Sequence, residues 1–181
     1  MNYRAFFENL QSRYHLEEVL LHLYHHPEDF DDLFNLVFEE DNKKAWRVLW
    51  AVEKISQRNP EWFDEKKIQQ ITQLILTTRH DGMLRIGLSI LNSFPAPVPI
   101  PVEMLNRLYD WMLSPAYPIG VQSLAMKLLY KYVQTDEFLL QEFMFTLEQA
   151  DDTTYSVAFR SSRKNILKSI LKANKRGVFI D

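Results

Sequence analysis

Four of the five histidines crowd into one short stretch: His15, His22, His25 and His26. His22 and His26 stand four residues apart, the spacing that puts two imidazoles on one helix face. Glu18 lies one turn earlier and Asp29 just beyond, so two nitrogens and a carboxylate could reach a zinc ion. The HExxH pattern is missing, and no general base is placed for hydrolysis. The plainer reading is a polar helix edge. The expectation is no bound metal, with His22 and His26 as the side chains that would hold one.

Other catalytic chemistry finds little support. Neighbouring residues on a helix diverge by about 100°. The pairs Glu17-Glu18, Asp31-Asp32, Glu39-Glu40 and Asp151-Asp152 therefore do not make a proton-sharing dyad, and they suit caps and solvated surface. No Ser or Thr sits in a nucleophile-elbow context. With 0 Cys there is no thiolate nucleophile, thiolate metal site or disulfide, which fits a reducing cytoplasm. Only 4 Gly are present, too few for a glycine-rich phosphate loop. The expectation is a chain without catalytic residues or cofactor.

Anion recognition is better provided for. Arg160, Arg163, Lys164 and Lys168 recur at three- and four-residue steps, so they share a broad helix face. Lys172, Lys175 and Arg176 prolong it, and no acid lies between residues 153 and 180. One reading is the solvated face of a capping helix, its basic end suited to the helix dipole. The other is a binding face for carboxylates or phosphates on a protein, a nucleic acid or a lipid headgroup. Trp46 and Trp50, four residues apart, are secondary anchors for a partner, or else fillers of seams between packed helices.

Charge is distributed unevenly. The net charge of -3 hides a sum of -8 over residues 1–41 and of +6 over residues 155–181. The acidic opening would repel phosphate, which disfavours nucleic acid. Opposed ends also suggest head-to-tail self-association between copies, although the oligomeric state is not legible. The opening stretch carries Glu8 early and has no long apolar core, so it does not read as a signal peptide. No run approaches the ~18 apolar residues of a membrane span.

The elements that must position these residues all read as helices. With 46% hydrophobic residues the chain can bury a core. In Lys43–Ile55, Ala45, Val48, Leu49, Val52 and Ile55 form one apolar arc, with the two tryptophans beside it. A helix with two apolar arcs must be covered from two directions. The periodicity predicts further helices at about 2–11, 14–26, 28–40, 61–78, 82–94, 102–113, 119–133, 136–149 and 153–174. Asp41-Asn42, Asp81 and Asp151-Asp152 are the expected caps. Gly87 inside a helix costs roughly 1 kcal/mol against Ala, so close approach of a neighbouring helix is expected there. Pro95, Pro97, Pro99 and Pro101 forbid a helix and predict a stiff polyproline-like connector.

The second helix of each pair can be superposed on the next. Shifted by 39, Val48, Leu49, Ala51, Val52 and Ile55 fall on Gly87, Leu88, Ile90, Leu91 and Phe94. A further 38 reaches Ala125, Met126, Leu128, Leu129 and Tyr132, and another 38 takes the last three to Ile166, Leu167 and Ile170. A helix pair every ~38 residues is the signature of an α-solenoid. On these positions the chain resembles HEAT/armadillo-like repeat proteins. It is similar to small bacterial, Bacteroidetes-type HEAT-like chains in its Trp-rich second helix, Tyr109–Leu113, Leu124–Tyr132 and the Arg160–Leu167 helix, over about residues 28–172. Some such relatives are labelled adenylosuccinate lyases, but no Gly-Ser-Ser catalytic loop is present here.

The expected architecture is an all-α superhelix of about four helix pairs, as one domain over 1–181. Residues 1–27 would form N-terminal cap helices, 28–152 the paired repeats, 153–174 a basic last helix and 175–181 a tail. The resemblance implies a non-enzymatic interaction module, and the basic residues add the expectation of an acidic protein partner on its concave or basic C-terminal face. A nucleic-acid-binding or DNA-repair role and self-association are the alternatives.

Overall fold

The computed structural model describes residues 1–8, 13–39 and 44–174, and every regular element among them is helical. The chain forms two compact units, Met1–Phe94 and Pro95–Asp181.

The first unit holds α1 (Tyr3–Glu8), α2 (Arg13–His25), α3 (Phe30–Asn35), α4 (Ala45–Arg58), α5 (Glu65–Thr77) and α6 (Asp81–Ser93). At its centre, Val48, Leu49, Ala51 and Val52 of α4 are wholly buried. Two apolar arcs need two covers, and α4 packs against α6 as well as α2 and α3. α5 lies on α6. Gly87 makes that approach possible, since a Cβ there would stand 2.1 Å from Cγ2 of Ile75.

The second unit holds α7 (Val102–Leu113), α8 (Ile119–Val133), α9 (Glu137–Gln149) and α10 (Val157–Asn174). α8 is its core helix: Val121, Ala125, Met126, Leu128 and Leu129 are fully buried, and α7, α9 and α10 all pack on it. The alternating prolines form no helix, and Pro101 sits at φ -69°, ψ 155°, in polyproline geometry. The Tyr132 hydroxyl donates to the Val98 carbonyl at 2.6 Å and pins this stretch. Inside each unit the second members of successive pairs meet, α4 on α6 and α8 on α10. The superposed repeat positions are buried, except that Tyr132 and Leu167 are half-buried.

Several boundaries differ from the sequence expectation. The helix expected over 28–40 is broken into a 3₁₀ turn at Pro27–Asp29, α3, and a second 3₁₀ turn at Leu36–Phe38. Phe30, Leu33 and Leu36 are all buried, as are Phe34 and Val37. Tight turns line up residues three apart, so the shorter pitch serves this burial. The helix expected from 61 starts at Glu65 instead, after a 3₁₀ turn at Pro60–Trp62. Phe63 turns extended to reach the rings of Phe30, Phe34 and Phe94. Asp64 then caps the restarted helix, accepting from the Lys67 amide at 2.8 Å. The last helix begins at Val157, not 153. Asp151 accepts from the amide and hydroxyl of Thr153 and holds a turn, and Ser156 Oγ accepts from the Phe159 amide at 3.2 Å. The expected Asp41-Asn42 cap lies outside the described residues.

The cap of α6 is also reassigned. His80, not Asp81, is the N-cap, with Nδ1 accepting from the amides of Gly82 at 3.1 Å and Met83 at 3.3 Å. Loss of this acceptor in His80→Ala is expected to cost about 1 kcal/mol, while His80→Asp restores a capping oxygen. Urea unfolding checks this; an alanine variant as stable as the parent would refute the cap.

Candidate functional site

α10 separates its cations into two kinds. Arg163 turns back toward its own unit, and its side chain is only 15% exposed. Its Nη1 donates to the Ala150 carbonyl at 2.5 Å and the Leu147 carbonyl at 3.3 Å, and Nη2 pairs with Asp152. Those carbonyls belong to the C-terminal end of α9, where orphan acceptors and the negative end of the dipole favour a cation. Arg160 Nη1 donates to the Asp152 carbonyl at 3.2 Å. Lys164, Lys168 and Lys172 instead are exposed at four-residue steps. Among the described residues no acidic group pairs with them. Lys175 and Arg176 lie outside the described residues.

The tryptophans belong to the first unit. Trp46 is 40% exposed, with the Arg47 guanidinium 5.4 Å from its ring centroid. Trp50, one turn on, is half-buried. Arg47 Nη1 also donates to the Phe7 carbonyl at 3.4 Å, so the cation over Trp46 is tied to α1.

The histidine pair is engaged with carboxylates. His22 Nε2 lies 2.7 Å from Asp29 Oδ2, and its ring lies 4.7 Å from that of His26. His26 Nδ1 lies 3.3 Å from Glu28 Oε1. The hydrogen bond from His22 holds the Asp29 carboxyl below the usual carboxylate range. That contribution to stability is present above the unfolded carboxylate pKa and lost as pH falls through the folded value. Among the described residues, no group of three or more His, Asp or Glu is placed to hold a metal ion.

Three features escaped the sequence reading. Lys67 Nζ sits 2.9 Å from Asp31 and 3.2 Å from Asp64, with the Phe30 ring 6.0 Å away, tying α3 to α5. Burial opposes its charge, but the two carboxylates win and raise its pKa. Glu53 is 5% exposed within α4, its nearest cation being Lys54 at 3.7 Å. Phe138 and Phe145 of α9 are 84% and 63% exposed. Asp64 lies three residues before Lys67, but the tie to the distant Asp31 gives no local signal, and neither does an apolar residue facing water.

The concavities hold little convergent chemistry. One in the first unit, about 270 Å³, is lined by Leu21, Tyr24, Ile55 and Trp62, with Glu17 and Arg58 3.9 Å apart. One in the second, about 440 Å³, is lined by Leu113, Phe145, Asp151 and Tyr155. Burial pushes the Tyr155 hydroxyl up, and that hydroxyl donates to the Leu113 carbonyl at 2.6 Å. On α7, burial first and the charge of Glu142 second push the Tyr109 hydroxyl to about 12.

These pieces define a helical-repeat scaffold in which Asp64, Arg163 and Lys67 serve as a cap and as ties between helices. The chain matches the HEAT repeat domain family over residues 6–170, and it belongs to that family. Proteins built from such repeats serve generally in protein–protein interaction. Neither the curated proteins nor the solved structures compared with the chain include a match. No helix among the described residues is long and apolar enough to cross a membrane.

Proposed function

We propose that the chain is a non-enzymatic interaction module that takes an acidic surface of another protein on the exposed face of α10. The observation that carries this reading is the stripe Lys164–Lys168, exposed and without an acidic partner among the described residues. Lysines four residues apart on a packed helix project from one row, which suits carboxylates spaced along a partner helix. Arg160 and Arg163 contribute by holding the α9–α10 turn, while Trp46 and Trp50 are secondary anchors for a separate contact on the first unit. The resemblance to small bacterial chains and the lack of cysteine support a bacterial, cytoplasmic setting for this module.

The test is capture from the native host with the full chain as bait. Lys164→Glu/Lys168→Glu is expected to keep the parent's helicity and melting while losing the captured protein. Rising salt should release that protein from the parent bait, because exposed charges are screened within about 8 Å at physiological ionic strength. Undiminished capture by the charge-reversed chain would end this reading.

A further inference from the structure

The lysine stripe on α10 has a counterpart on α9. A helix packed on one side ordinarily turns a polar face to water. α9 instead exposes Phe138 and Phe145, seven residues and so about 10 Å apart on one side of the helix. Glu142 lies between them on the same face, exposed and unpaired among the described residues. Glu137 and Glu148 flank the face, and between Asp136 and Asp152 the sequence has no lysine or arginine. Phe138, Glu142 and Phe145 thus recur at i, i+4 and i+7.

α10 repeats that spacing with complementary chemistry. Lys164, Lys168 and Leu171 also stand at i, i+4 and i+7, and Leu171 is 55% exposed. Val157, 73% exposed, lies on the same arc two turns before Lys164. Laid together, the two faces bring a cation over an aromatic ring, a carboxylate to an ammonium and an apolar side chain to another. α9 and α10 both pack on α8, so a single copy carries both faces in the same unit.

We propose that the acidic partner of the α10 stripe is the α9 face of a second copy of this chain, Phe138–Glu142–Phe145 docking on Lys164–Lys168–Leu171. This rests on the reading of α10 as a partner-binding face, and it names the partner. Each copy donates one face and accepts the other, so two copies close a reciprocal pair through like surfaces. The apolar side chains lose water in the pair, and the charges fix which faces meet.

The test is the mass of the purified full chain by light scattering, at ~50 mM and ~1 M salt, with variants of both faces. The parent is expected to form dimers at low salt that dissociate at high salt, where the Debye length falls to about 3 Å. Glu142→Lys and Lys168→Glu should each weaken the dimer at least about tenfold by setting like charges opposite. Mixing the two variants should restore it, since one contact of the mixed pair then joins the two reversed charges and the other keeps the parent's Glu142 and Lys168. Phe138→Ser should weaken the dimer at low salt without changing any charge. A monomer at every concentration, or failure of the mixture to recover, would overturn this pairing. Capture of a different protein by a monomeric chain through Lys164 and Lys168 would leave the α10 reading standing and remove only the second copy.

Discussion

Replacing Arg163 with alanine is expected to destabilise the second unit by about 2–3 kcal/mol, although the same change at Lys164, one residue on, should fall within about 0.5 kcal/mol of the parent. The difference follows from where the two side chains end. Arg163 satisfies two carbonyls at the end of α9, at 2.5 and 3.3 Å, and pairs with Asp152. Without the guanidinium those carbonyls lose their partner, and the turn joining α9 to α10 loses its cross-link. The partly exposed carboxylate of Asp152 is screened by water, so most of the loss belongs to the carbonyl bonds. Lysine at 163 should recover only part of it, because one ammonium cannot reproduce the planar fork. Urea unfolding reads this as a lower midpoint at unchanged slope. An alanine variant as stable as the parent would show that the guanidinium does not hold the turn. The result also bears on any binding assay: charge reversal at Arg163 confounds folding with recognition, and Lys164 and Lys168 do not.

The second large effect is at Gly87. By helix propensity alone Gly87→Ala would stabilise α6 by about 1 kcal/mol. The expected result is the opposite sign, a net loss of about 2 kcal/mol. The new methyl carbon would stand 2.1 Å from Ile75 Cγ2, and Ile75 is 1% exposed. A β-branched side chain has little rotamer freedom in a helix, so Ile75 cannot swing away. Helices α5 and α6 would have to separate. Ile75→Ala removes the obstructing atom and alone costs about 2–5 kcal/mol for the cavity it leaves. In that background Gly87→Ala should become neutral or favourable, a coupling of about 1–3 kcal/mol between the two sites. If the two changes simply add, the close approach of α5 to α6 at this point is not the reason for the glycine.

The two predictions stand at opposite ends of what could be read in advance. A glycine inside a helical pattern announces a close neighbour, because nothing local favours it there. The expected approach is present, and the structure adds only which atom makes it. Nothing local distinguishes Arg163 from Lys164 or Lys168. All three lie on the polar side of one helix, and only the carbonyls of a different helix select the first.

The same division runs through the fold. α7 and α8 begin and end where expected, at Val102–Leu113 and Ile119–Val133. Proline before each helix and a Ser-Pro break between them act through backbone sterics, which depend only on neighbours in the chain. The 38- to 39-residue recurrence of apolar positions likewise placed the packed faces of α4, α6, α8 and α10, because burial on one side of a helix leaves a periodic record. Where a segment carried aromatic residues on several arcs, periodicity had no preference to report. The 28–40 and 61–78 segments broke into shorter pieces as Phe30, Phe34 and Phe63 were gathered into one cluster.

α9 shows that limit most clearly. Its sequence has apolar residues on every side, and the structure buries Leu140, Phe143 and Leu147 while leaving Phe138 and Phe145 in water. The amino-acid sequence by itself determined the all-helical class, the repeat and the segregation of charge along the chain. These rest on local sterics and on hydrophobic period, which every short segment carries within itself. Only the tertiary structure decided which arc of α9 faces outward, which α10 cations are already engaged and that Asp31 reaches Lys67. Each of those outcomes depends on groups that come together only once distant segments have packed.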